Sequence, residues 1–139
     1  MEKIMTSITN LGYTSKELYS FKTLYDVPKN FSGICQIDIY IYYYKDGKFH
    51  REDGPASEDS DGNKFWYIDD ELHRLDGPAI EFSGGTKEWY INGHLHRTDG
   101  PAIERSDGHT HWYLNHQRYG INNEFTNESW KHFQRTLLF

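Results

Sequence analysis

Cysteine is almost missing from these 139 residues: Cys35 stands alone. A single thiol excludes an internal disulfide and any zinc site built from several cysteines, and it fits a reducing compartment. Long apolar runs are missing too. The longest candidate, Ile37 to Tyr44, is interrupted by Asp38 and falls far short of the roughly 20 residues that span a bilayer. The opening Met1-Glu2-Lys3-Ile4 lacks the charged and apolar regions of a signal peptide, which predicts a chain that stays in the cytoplasm where it is made. Basic residues are in short supply, 15 Lys and Arg against 21 Asp and Glu, for a net charge of -6. That balance disfavours nucleic acid and anionic membranes as partners, because both are held by Lys and Arg against phosphates. Neither G-x-x-x-x-G-K-[ST] nor G-x-G-x-x-G occurs, so no phosphate-binding loop is expected.

What is abundant is acid in one stretch and aromatic side chains throughout. Glu52, Asp53, Glu58, Asp59, Asp61, Asp69, Asp70, Glu71, Asp76 and Glu81 face only Arg51, Lys64 and Arg74 across residues 51–81. Two readings are open: a solvated face that keeps the protein soluble, or a surface that meets a basic partner. Aromatics make up 17% of the chain, with Tyr leading, which suits the half-buried pleated surface of a thin sheet better than a thick aliphatic interior.

The aromatics recur with a period of 23 residues. Trp66-Tyr67, Trp89-Tyr90 and Trp112-Tyr113 are spaced by it, and one step back lies Tyr43-Tyr44. His50, His73 and His96 keep the same spacing, as do Asp53-Gly54-Pro55-Ala56, Asp76-Gly77-Pro78-Ala79 and Asp99-Gly100-Pro101-Ala102, and Gly62, Gly85 and Gly108. A period held without insertion marks stacked structural repeats. Within a repeat, Lys87 to Ile91 is rich in strand-forming residues, and Asn92-Gly93 is a two-residue hairpin signal. His94 to Arg97 returns, and Asp99-Gly100-Pro101 breaks the ladder. Ala102 to Arg105 is extended again before Ser106-Asp107-Gly108 turns. The expected fold is mainly β, a single-layer antiparallel meander of β-hairpin repeats with short helices at the N- and C-termini.

The motif W-Y-x-N-G-x-x-H-R-x-D-G-P-A resembles the MORN repeat, and is similar above all to the variant of it found in bacteriophage and large-virus proteins. The resemblance covers roughly residues 31–123. Asn30-Phe31-Ser32-Gly33 reads as a degenerate lead-in, and Asn115-His116-Gln117-Arg118-Tyr119 as a degenerate last turn. Asp70 and His116 stand where the turn glycine is expected, and Tyr119 where the other repeats carry His. Residues 1–30 and 124–139 are then caps. Thr14-Ser15-Lys16-Glu17 is a capping-box pattern opening the apolar stretch Leu18-Tyr19-Phe21-Leu24-Tyr25, and predicts a brief helix. Phe125, Trp130, Phe133 and Leu137 have the spacing of an amphipathic helix over Thr126 to Leu138, read as a cover for the sheet edge or, alternatively, as a docking element.

The periodic histidines invite an enzyme or metal reading, which geometry discourages. Equivalent residues two strands apart are separated by about 10 Å, whereas zinc ligands lie about 2 Å from one ion. A His96–Asp99 base pair recurs three times with no nucleophile repeating beside it, and Cys35 has no periodic partner. No enzyme activity, metal or cofactor is expected. The structural reading has Arg and Asp pinning each loop while His stacks on an aromatic ring. Alternation along strands gives one stripe of Tyr43, Trp66, Trp89 and Trp112 with Ile68, Ile91 and Leu114, and a second of Tyr44, Tyr67, Tyr90 and Tyr113. One stripe is core, and the other is expected to remain partly open as a recognition surface. Trp66, Trp89, Tyr67, Tyr90, Tyr113, His73, Arg74, His96 and Arg97 are therefore the expected binding residues. The functional expectation is a non-enzymatic protein-binding module. The viral resemblance implies a phage-encoded factor in the host cytoplasm that modulates a host protein, such as one of antiviral defence; self-association stays open. The alternative is a small-ligand or nucleotide-binding protein that uses His-Arg pairs and aromatic rings.

Overall fold

A computed structural model of the chain describes residues 2–4 and 18–138. Its strands are β1 (Glu2–Ile4), β2 (Leu18–Ser20), β3 (Gly33–Ile37), β4 (Tyr40–Lys45), β5 (Lys48–Phe49), β6 (Ser57–Asp59), β7 (Lys64–Phe65), β8 (Tyr67–Ile68), β9 (Glu71–Leu72), β10 (Ile80–Glu81), β11 (Lys87–Glu88), β12 (Tyr90–Ile91), β13 (His94–Leu95), β14 (Ile103–Glu104), β15 (Thr110–Leu114) and β16 (Gln117–Ile121), followed by one helix, α1 (Asn127–Leu137). The protein is mainly β, and its strands are joined as antiparallel hairpins. Contacts gather the chain into two compact units, residues 1–71 and 72–139.

Two kinds of turn recur with the period. At Asp46-Gly47, Asp69-Asp70, Asn92-Gly93 and Asn115-His116 both central residues have positive φ. That is the signature of a type I′ turn, whose twist matches the flanking strands. The substitutions of glycine at Asp70 and His116 therefore leave the turn type unchanged, with φ at +71° and +67°. The second kind centres on Gly62, Gly85 and Gly108, again with positive φ. Their N–H groups donate to the carbonyls of Asp59, Phe82 and Arg105 at 3.1, 2.9 and 3.0 Å.

In the first unit the strand order is β1-β2-β3-β4-β6-β7, with β5 paired to β4. All these pairs are antiparallel except β2 with β3, which run parallel in the register Leu18 to Ile34 and Ser20 to Gln36. A parallel pair needs a crossover of about a dozen residues. Residues 21–32 supply it, including a single 3-10 turn at Leu24–Asp26. The brief helix predicted after Thr14 is thus a strand and a 3-10 turn among the described residues; the Thr14-Ser15-Lys16-Glu17 box itself lies outside them. The reason is edge pairing: Leu18 is buried with Ile34, Tyr43 and Ala56, where an extended segment fits alongside β3. Phe31, Tyr19, Phe21 and Tyr44 meet edge to face beside it. The lead-in also works as the missing preceding repeat. Phe31 O accepts from Gly47 N–H at 2.8 Å, as Phe49 O does from Asp70 at 3.0 Å.

In the second unit β10-β11-β14-β15-β16 form consecutive antiparallel pairs, and β12 with β13 form a separate hairpin. The strand that alternation treats as continuous is broken at Trp89, which lies between β11 and β12. Trp89 N–H donates to Ala102 O, just before β14, while its own carbonyl accepts from His96 N–H. The tryptophan is thus the point where the chain leaves one sheet for another. Ala56, Ala79 and Ala102 are wholly buried, so each Asp-Gly-Pro-Ala segment ends at a position with room for a methyl group only. The C-terminal helix starts at Thr126, whose hydroxyl caps Ser129 N–H at 3.1 Å. Trp130 is fully buried against Trp112, Tyr119, Phe125 and Phe133. Its indole N–H donates to Arg97 O at 3.2 Å.

Candidate functional site

Each His-Arg-x-Asp-Gly-Pro-Ala segment builds the same object. The Arg97 guanidinium lies over the Trp89 ring at 3.8 Å, and Arg51 lies over Tyr43 at 4.1 Å. On the other side of Arg97 is Gly100, where a Cβ would sit 2.8 Å from Cζ. Glycine is required there for space, because the guanidinium is held between ring and backbone. Arg97 Nε donates to Asp99 at 2.8 Å, and Nη1 donates to Pro101 O at 3.1 Å and Glu104 at 2.6 Å. Arg74 repeats this with Asp76 at 2.9 Å, Pro78 O at 3.1 Å and Glu81 at 2.9 Å. Arg51 does so with Asp53 at 2.7 Å and Pro55 O at 3.3 Å. These charge-assisted bonds pin the loop, as the motif led one to expect.

The histidines do something other than stack. His73 Nδ1 lies 2.8 Å from Asn92 Oδ1 and 3.2 Å from the Asn92 amide nitrogen, and His96 Nδ1 stands at 2.9 and 3.2 Å from the same atoms of Asn115. A ring nitrogen serves one of these at a time, donating to Oδ1 when protonated or accepting from the amide N–H when bare. In the first unit His50 meets Asp69 at 2.9 Å. Each imidazole therefore fastens one repeat to the turn of the next, and the ring stacking expected of it belongs to arginine. The planar guanidinium satisfies an aromatic face and several acceptors at once, whereas imidazole has two nitrogens to place.

In the second unit the loops of two successive repeats enclose a groove of about 630 Å³. Leu75 to Pro78 form one wall and Thr98-Asp99 the other, with Trp89 and Ile91 along it. Leu75 is 82% exposed, and the carboxylates of Asp76 and Asp99 stand open beside it. Hydrogen bonds from Arg74 and Arg97 hold both carboxyls below the usual aspartate range, so they are ionised at neutral pH. To its lining Arg74 and Arg97 bring two positive charges and Asp76 and Asp99 two negative ones, while Glu81 and Glu104, bonded to the same arginines, lie outside it. A hollow of about 560 Å³ over Tyr43 in the first unit repeats one side of the arrangement, with His50, Arg51, Glu52 and Asp53 in the places of His96, Arg97, Thr98 and Asp99.

The groove brings together Arg74, Trp89, His96 and Arg97 of the expected binding residues. It does not include Tyr90, whose hydroxyl donates to Glu88 at 3.0 Å, nor His73. Trp66 and Tyr67 belong to the first unit, and Tyr113 lies in β15. Tyr67, Tyr90 and Tyr113 are all half-buried, as are Trp66 and Trp89. Burial is also the main influence raising the Tyr67 phenol. Cys35 is wholly buried, which pushes its thiol up to about 12 and leaves it protonated and unreactive. Leu75 was not legible as a site residue. Its only mark is that it occupies the variable place between Arg and Asp, shared with Glu52 and Thr98. No protein family, curated protein or solved structure matches the chain.

Proposed function

We propose that this chain is a non-enzymatic protein-binding module, and that the groove of the second unit receives an apolar side chain from a partner segment with basic residues beside it. The observation that carries the reading is Leu75, an exposed apolar side chain at a groove whose two arginines are bonded into their own loops while the carboxylates of Asp76 and Asp99 stand open. Apolar contact supplies affinity, and the open carboxylates of Asp76 and Asp99 select for Lys or Arg at the rim. A catalytic role finds no support in the motif residues. The arginines are bonded to their own loops, the histidines to neighbouring turns, and the one thiol is buried. The geometry also weighs against a nucleotide. The Arg97 plane, on which a base would stack, is covered by Trp89 on one side and Gly100 on the other. On the viral resemblance of the repeat, the partner is read as a host protein met by a phage-encoded factor.

Selection from a random peptide display library, followed by fluorescence anisotropy of the selected peptides, tests this reading. Selected sequences should place an apolar residue next to Lys or Arg, and Leu75→Asp should weaken their binding at least about tenfold, the size expected when an apolar anchor is lost. Asp76→Asn with Asp99→Asn should weaken binding less and flatten its salt dependence. Acidic selected peptides, or equal binding by Leu75→Asp, would overturn the proposal.

A further inference from the structure

His94 and His116 lie off the periodic column of His50, His73 and His96. Both are exposed, His94 at the start of β13 and His116 on the hairpin turn of the next repeat, with ring centres 5.9 Å apart and planes at 68°. The backbone beneath them is tied down. Gly93 N–H donates to Leu72 O and His116 N–H to Leu95 O, each at 2.9 Å, and His94 pairs with Ile91 in its hairpin. His116 holds φ at +67°, in a turn position that Gly47 and Gly93 fill elsewhere. Side chains other than glycine resist that conformation, and the exposed ring recovers nothing by burial.

We propose that His94 and His116 together chelate one divalent transition-metal ion of the class that prefers imidazole, Zn²⁺, Ni²⁺ or Cu²⁺. A nitrogen about 2 Å from such an ion puts its ring centre about 3 Å away, so two rings that share a tetrahedral ion stand about 5 Å apart. The observed separation of 5.9 Å is about 1 Å wider, a gap that rotation of two exposed side chains on a fixed backbone can close. Two imidazoles leave the remaining coordination positions to water, which makes the site a surface chelate, unlike a buried structural centre. The site is independent of the groove and of its proposed partner.

Isothermal titration with Zn²⁺ alone, on the full chain, tests the assignment. One ion per chain should bind at a step that His94→Gln and His116→Gly each weaken at least tenfold. Both variants should fold, since each changes an exposed ring and the second supplies the residue the turn prefers, and a melt of each confirms it. His109→Gln, which alters an exposed histidine elsewhere in the same unit, should bind as the native chain does. The assignment falls if native binding is no tighter than that of the two variants, or if His109→Gln loses it equally.

Discussion

A guanidinium fixed on both faces makes the glycine beside it irreplaceable. A methyl group at Gly100 would sit 2.8 Å from Arg97 Cζ, and Arg97 cannot swing away without losing Trp89, Asp99 and Glu104. Gly100→Ala should therefore cost about 1–3 kcal/mol, the usual range for overpacking. Gly84→Ala, with no atom within 4 Å of the added methyl, should stay within about 0.5 kcal/mol of native. Denaturant melts of Gly100→Ala, Arg97→Ala and the pair should show costs that do not add, because the double variant removes the clash; additive costs would show that the arginine gives way. The same bonds set an acid limit. Asp76 and Asp99 are lowered chiefly by hydrogen bonds from Arg74 and Arg97, and Asp69 by one from His50. A carboxyl lowered in the folded state stabilises it above the ordinary value of 3.8 and loses that contribution as pH falls through the folded value. The melting temperature should be insensitive to these groups between about pH 7 and 5 and should drop below about pH 4. Asp99→Asn should drop less steeply than the native chain over that acid range.

Among the elements, α1 concentrates its burial in one residue. Trp130 is fully covered while Leu137 is 48% exposed, so Trp130→Ala should cost about 3–5 kcal/mol and Leu137→Ala much less, measured by urea unfolding. If the two cost the same, the helix is held by its length and not by the tryptophan. This helix was legible because Phe125, Trp130 and Phe133 have helical spacing and Thr126 is a good cap. The hairpin turns were legible for a similar local reason: Asn, Asp and Gly tolerate positive φ. Leu18–Ser20 was not, because a capping pattern and an apolar run describe a helix equally well until β3 offers an edge to pair with. Nor was the break at Trp89, since strict alternation assumes one continuous strand and cannot see a chain that changes partner at its largest side chain. Of the site, the Arg-Asp pinning of each loop could be read from residue types alone. The bond from histidine to a turn 19 residues later could not, because it depends on how successive repeats stack.

For the whole chain, the period predicts which length changes it survives. Deleting residues 67–89 removes one 23-residue step and joins Trp66 to Tyr90, so the period of the remaining turns is kept. That variant should keep its β-type circular dichroism with a lower melting temperature, whereas removal of ten residues from the same stretch should abolish the cooperative melt. Equal loss in both would contradict the repeat. The turn bonds carry a further consequence. The hairpin turns of three repeats donate an N–H to a carbonyl about one period behind, from Asp70 to Phe49, Gly93 to Leu72 and His116 to Leu95, while the first turn, at Gly47, borrows Phe31 from outside the series. Copies joined in this way are interchangeable parts. Tandem duplication of 23 residues could lengthen such a protein with no change to its surroundings.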